Sequence, residues 1–193
     1  MNKIVTVLAF DPGSKNFGWS VVCGRKKKNK LELRILCSGH IVNTMNQMKI
    51  GPLHKKQRAA FVEEILAIKN SYPLNYFVAE RYMNRGIRGT LIEAVAMMLD
   101  AATSSLKLPY TLLAAVTWKR ALDKCGVDLK QAYKWCKATP HQLDATMMGV
   151  FALMKILDVP QYKIQIKPII LAIEKVSKEP LTNRVLRRKK KHE

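Results

Sequence analysis

The chain is short of acid. Against 34 lysines and arginines its 193 residues carry only 14 aspartates and glutamates, a formal net charge of +20. Such a charge strains a compact fold and favours a polyanionic partner, either nucleic acid or an anionic membrane surface. Long apolar runs are missing too. The longest candidate, "LPYTLLAAVTW", falls short of the ~18 residues a membrane span needs, and no apolar h-region of a signal peptide opens the chain. The four cysteines, Cys23, Cys37, Cys125 and Cys136, lie far apart with no C-x-x-C pair. That spacing argues against a zinc site, and the placing of Cys23 and Cys37 in strand-like runs suggests buried free thiols in a reducing compartment. There are no internal repeats. What remains is a soluble, intracellular, cytoplasmic protein without a membrane partner, long enough to bury a real core.

The charge that is present is partly concentrated. One cluster is Arg25, Lys26, Lys27, Lys28 and Lys30; another is Arg184, Arg187, Arg188, Lys189, Lys190 and Lys191. Between them the hydrophobic pattern sets out the elements. "KIVTVLAF" reads as a strand buried on both faces, "FGWSVVCG" as a second, and "LELRILCSGHIV" as a third, with "GRKKKNK" as the hairpin turn before it. A helix is expected from Leu53 to Asn70, a strand over "LNYFVAE", a basic loop over "RYMNRGIRG", and an apolar helix from Leu91 to Leu106. "YTLLAAV" gives a fifth strand. Thr117 and Asp128 are expected to cap two short helices, and Thr139, Pro140 and Gln142 to open a long one ending near Leu157. After Pro160 the pattern weakens. Residues 1–160 are therefore expected to form the folded domain, and 161–193 a basic, partly disordered extension. This order predicts an α/β fold on a five-stranded mixed sheet, three antiparallel N-terminal strands followed by parallel ones, with helices on both faces.

Three acids stand apart by context. Asp11 ends the first strand, Glu80 ends the fourth, and Asp144 lies one turn inside the long final helix, with His141 at i−3 on the same face. The two strands are expected to be neighbours, which sets Asp11 beside Glu80. Their repulsion calls for a neutralising partner, and a hard divalent cation suits such oxygen ligands. The bland alternatives are a turn role for Asp11 in Asp-Pro-Gly, a surface ion pair for Glu80, and a helix-dipole role for Asp144.

"FDPGSKNFGWSVV", "FVAERY" and "HQLDATMMGVFAL", in that order and spacing, resemble the three catalytic motifs of RuvC-type Holliday junction resolvases of the RNase H-like superfamily. The resemblance covers residues 1–157, and the compact, Lys-rich character is similar to that of phage-encoded members. It implies the RNase H-like fold and a structure-selective endonuclease that hydrolyses DNA at four-way junctions as a homodimer. It also implies two Mg²⁺ ions per site, with Mn²⁺ as a substitute, held by Asp11, Glu80 and Asp144, with His141 as ligand or water-positioning group. Arg81, Arg85 and Arg88 are then placed to hold flanking phosphates, and Tyr82 to stack on a base. Lys26, Lys27 and Lys28, and Arg187, Arg188 and Lys189, are candidate DNA contacts. "WKRALDKCGVDLKQAYKW" resembles the family's Trp-Lys region loosely.

Three rivals stand beside this expectation. Another nuclease of the same fold would act on flaps, other branched DNA or RNA. An actin-like ATPase would need a second phosphate motif and roughly twice the length, so no nucleotide cofactor is expected. A non-catalytic basic DNA-binding protein would account for the charge but leave three carboxylates gathered without cause.

Overall fold

The computed structural model describes residues 3–12, 16–42, 52–81, 89–160 and 163–177. The elements are β1 (Ile4–Pro12), β2 (Asn16–Lys27), β3 (Lys30–Val42), α1 (Pro52–Ser71), β4 (Tyr76–Glu80), α2 (Gly89–Leu106), β5 (Tyr110–Leu113), α3 (Ala115–Lys124), α4 (Leu129–Trp135), α5 (Pro140–Ile156) and α6 (Ile166–Val176). The sheet order is β3-β2-β1-β4-β5. The first three strands pair antiparallel, while β4 runs parallel to both β1 and β5. The mixed sheet expected from the sequence is the one observed.

Alternation along the strands builds two cores. Val5, Val7 and Ala9 of β1 pack with α3, α4, α5 and α6 on one face. Leu8 and Phe10 pack with α1 and α2 on the other, where Phe10, Phe17, Phe61 and Phe77 form a cluster of tilted rings. Helix α5 is the central helix: every residue from Gln142 to Met154 is buried. Its Gly149 lets it lie close on the sheet, because a Cβ there would come within 2.6 Å of Val22 and 3.2 Å of Ala9.

Four local expectations change. The basic hairpin turn shrinks to Lys28 and Asn29, with Lys27 paired to Lys30 and Lys28 at φ 55°. The strands extend because Glu32 ties their ends, meeting Arg25 at 2.6 Å and Lys27 at 2.8 Å. Strand β5 ends at Leu113 rather than Val116, and Thr117 is not a cap. Helix α3 already runs from Ala115, with Ala114 as an N-cap that makes no side-chain bond. The helix-favouring Ala115, and Trp118 and Leu122 one turn apart on the buried face, suit that earlier start. Cys37 and Cys125 are buried, whereas Cys23 and Cys136 are partly exposed; all four are free.

The fourth change is α6, beyond Pro160, where the sequence pattern is weak. Ile169, Ile170 and Ile173 of this helix are buried in the same core as α5. Among the described residues no helix is long and apolar enough to cross a membrane.

Candidate active site

The parity of the strands decides which side chains meet. Asp11 follows Val5, Val7 and Ala9 in register, so it faces α5; Glu80 follows Val78 onto the same face. Phe10 pairs with Ala79, and the next step along both parallel strands sets Asp11 beside Glu80. On the other side of Asp11 the register continues through Gly18 of β2 to His40 of β3. A row of positions therefore crosses the sheet at the carboxyl ends of β1 and β4.

The first turn of α5 is laid over that row. Thr139 accepts from the Gln142 N–H, the Gln142 side chain bonds back to the Thr139 N–H, and Pro140 pre-sets the first turn. Gly18 is what allows the approach: a Cβ on it would stand 2.2 Å from the His141 carbonyl oxygen. The turn brings His141 Nδ1 to 2.6 Å from Asp11 Oδ2. Asp144 enters the same space from one turn further on.

Two further elements close the site. Trp118, wholly buried, donates its indole N–H to Glu80 Oε2 at 3.0 Å. Its neighbour Lys119 places Nζ 2.8 Å from Asp144 Oδ2 and 4.8 Å from the Trp118 ring centroid. Tyr133 of α4 donates its hydroxyl to Asp144 Oδ1. The sequence motifs do not single out Trp118, Lys119 and Tyr133. The loosely similar "WKRAL…KQAYKW" stretch is their only signal.

Burial and mutual repulsion mark the acids as one group. Asp11 and Asp144 are only 7% and 8% exposed. Burial pushes the Glu80 carboxyl above its ordinary range, and the charge on Asp11 pushes it further, against the pull of the Trp118 bond. Asp144 is also raised, first by burial, against the hydrogen bonds from Lys119 and Tyr133. Tyr133 is raised in turn, by burial and then by Asp144. His141 is raised by its bond to Asp11, which outweighs its desolvation. His40 is lowered by burial, against the contact with the Gln142 side chain; by hydrogen-bond geometry its buried Nδ1 has no partner among the described residues.

The donor types fit a hard divalent ion: three carboxylates and an imidazole, with Asp11 near enough to raise the pKa of Glu80, His141 and Asp144. Their present partners are protein groups, however. Among the described residues no three His, Cys, Asp or Glu side chains are gathered on one point.

The other sequence candidates are placed unevenly. Arg81 is exposed directly after Glu80. Tyr82, Arg85, Arg88, Arg187, Arg188 and Lys189 lie outside the described residues. Lys26, Lys27 and Lys28 sit at the hairpin end of β2, and Lys28 is ten residues of strand from Gly18, or about 33 Å. The structure does not bring them to the acids. Lys26 instead bonds to the Asp158 carbonyl at 2.5 Å. At the opposite end, Ser177 forms a parallel bridge with Ser38, two residues before His40.

No family model matches the chain, and no curated protein does. Solved structures do. The RuvC structure of Thermus thermophilus superposes with a TM-score of 0.64 at 16% identity, over 81% of this chain and 99% of that one. The same bacterium's RuvC in complex with a Holliday junction substrate gives 0.62 at 18% identity, with the same coverage. The yeast mitochondrial Holliday junction resolvase Ydc2 gives 0.50 at 12% identity, over 82% of each chain. At such identities the likeness is one of fold, and by it the chain has the RNase H-like fold in the form that RuvC has.

Proposed function

We propose that the protein is a metal-dependent endodeoxyribonuclease that resolves four-way DNA junctions by paired hydrolysis of phosphodiester bonds, acting as a homodimer. The observation that carries this reading is the meeting of Asp11, Glu80, Asp144 and His141 at one end of the sheet, in a chain of net charge +20. Burial and the charge of Asp11 raise Glu80 and Asp144, which destabilises the fold at neutral pH, so the closeness of these groups asks for a role. The junction as substrate is carried over from T. thermophilus RuvC, whose complex with a Holliday junction substrate has this fold.

Asp11, Glu80 and Asp144 would hold the divalent ions, with His141 as a further ligand or water-positioning group. When bound, Mg²⁺ or Mn²⁺ supplies an activated water and offsets the phosphate charge. Loading would exchange Lys119 and Tyr133, which now hold both oxygens of Asp144, for the metal. The displaced Lys119 ammonium would remain beside the reacting phosphate as a fixed cation. Without metal, His141 keeps Nδ1 on Asp11, a bond that raises its pKa; as a ligand or a group positioning water it would act in its neutral form. Arg81, and in the segment after it Tyr82, Arg85 and Arg88, would hold the strand on either side. Lys26, Lys27 and Lys28 would touch a distant arm of a large substrate. Arg187, Arg188 and Lys189 follow a helix that ends near His40, which favours a contact nearer the cut.

The test is incubation with a synthetic four-way junction, a linear duplex and single-stranded RNA, with Mg²⁺ and with a chelator. Paired symmetric nicks on the junction alone are expected. Cutting of every substrate would leave a general nuclease of this fold, and salt-sensitive binding without cutting would leave a DNA-binding protein. Asp11→Asn, Glu80→Gln and Asp144→Asn are each expected to abolish nicking while preserving or tightening junction binding, because negative charge beside the phosphates is removed. Near-native nicking by any of them would remove that residue from the ligand set.

A further inference from the structure

Gln142 makes more bonds than a helix cap requires. It stands between His141 and Asp144 on the first turn of α5 and is 2% exposed. A buried amide has two N–H donors and a carbonyl acceptor to satisfy, and any left over carries its full desolvation cost. Its Oε1 accepts from the N–H and the hydroxyl of Thr139 at 3.1 and 3.2 Å. Its Nε2 faces Ser177 Oγ at 3.2 Å and Ser38 Oγ at 3.5 Å, and the side chain also meets His40 of β3.

Both serines spend their single proton elsewhere. Ser38 donates to the Trp19 carbonyl and Ser177 to the Ile173 carbonyl. Their oxygens are left as acceptors, and the Gln142 amide is the donor they face. Turned round, it would set oxygen against oxygen on one side and N–H against N–H on the other. The amide therefore joins three elements in one orientation: β3 through Ser38, α5 through Thr139, and α6 through Ser177. Helix α6 lies outside residues 1–157, the stretch that carries the motif resemblance.

We propose that Gln142 is a positioning residue through which α6 holds the first turn of α5, and with it His141 and Asp144, against the sheet. Helix α6 is then part of the site's scaffold although it supplies no group to it. A cap alone does not demand this, since glutamate serves at that capping-box position as well as glutamine and suits the helix dipole.

Gln142→Glu separates the two roles. It is isosteric and keeps the acceptor for Thr139, but it presents an oxygen to two hydroxyls with no proton left to give. Amide hydrogen exchange in residues 141–145 and 169–177 is expected to speed up together, at least tenfold in Gln142→Glu and at least threefold in Ser177→Ala. With a four-way junction and Mg²⁺, the single-turnover nicking rate at saturating DNA should fall at least tenfold in Gln142→Glu, with junction Kd within twofold of the parent. A Gln142→Glu protein that exchanges and nicks like the parent would make Gln142 a cap only and overturn the proposal. If Gln142→Glu does not fold, Ser177→Ala decides: faster exchange in α6 with α5 unchanged overturns the latch, and faster exchange in both supports it. The nicking arm rests on the nuclease reading. A parent protein that cuts nothing would sink that reading, while the exchange arm would still decide the latch.

Discussion

Glu80 shows what the site costs the fold. Its carboxyl is raised above the ordinary value of 4.5 by burial and by Asp11. Between that value and the raised one, the folded state binds more protons than the unfolded chain. By linkage, stability then falls as pH rises through the window, and the fall is complete once Glu80 is ionised. Glu80→Gln removes the charge but keeps an acceptor for the Trp118 indole. It is expected to be more stable than the parent at pH 7, by less than about 1 kcal/mol because water screens this partly exposed group. The gap should close as pH falls below 4.5, where the parent carboxyl is protonated in both states. Urea titrations at pH 4 and pH 7 measure it, and an unchanged or lower stability at pH 7 would mean that Trp118 and Lys119 already compensate the charge. The variant should gain stability while losing nicking, a trade-off common at sites that hold strained charge.

At the scale of elements, the site depends on how closely α5 lies on β2. Gly18→Ala would drive a methyl into the His141 carbonyl, which lies 2.2 Å from where its Cβ would be. The neighbour is backbone, so the whole turn must lift rather than a side chain swing aside. The expected cost is roughly 1–3 kcal/mol, with nicking abolished because His141 moves off Asp11 while Asp144 moves off Lys119 and Tyr133; a variant with parental stability and rate would show that the turn yields freely. Much of this was legible in the sequence. Thr139, Pro140 and Gln142 announce the helix start, and the alternation Val5, Val7, Ala9 and then Asp11 assigns the acid to a face before any partner is known. Helix α6 was harder to see, although Ile166, Ile169, Ile170 and Ile173 recur at helical spacing. Pro168 and the flanking lysines break the pattern, and Pro168 is tolerated because it lies in the first turn. Lys119 and Tyr133 were legible only through the loose resemblance of "WKRALDKCGVDLKQAYKW" to the family's Trp-Lys region. Nothing local distinguishes a lysine that meets a buried acid 25 residues away from one that meets water.

For the molecule as a whole, the question is where a charge of +20 acts. The carboxyl ends of the parallel strands β1 and β4 carry the acids, and ligands of open α/β sheets gather at such ends. The hairpin cluster is at the opposite end and partly spent on Glu32 and Asp158. The second cluster follows Ser177, which is bridged to β3 near the acids. Truncation after Pro180 would remove Arg184, Arg187, Arg188, Lys189, Lys190 and Lys191 while leaving α6 and the Ser177–Gln142 hydrogen bond in place. For every phosphate that this leaves without its cation, the slope of log Kobs against log salt should flatten by about 0.9. A slope shallower by about 2 or more is expected, with weaker junction binding at physiological salt. Mg²⁺-dependent nicking should persist when DNA is raised to saturation, because no group at the acids has been removed. Truncation after Pro160 should behave differently: Ile169, Ile170 and Ile173 leave the core, and both stability and nicking disappear. An unchanged salt slope in the shorter truncation would place the DNA-binding charge elsewhere, on Arg81 and the lysines of α3 and α4. The terminal cluster would then serve solubility alone.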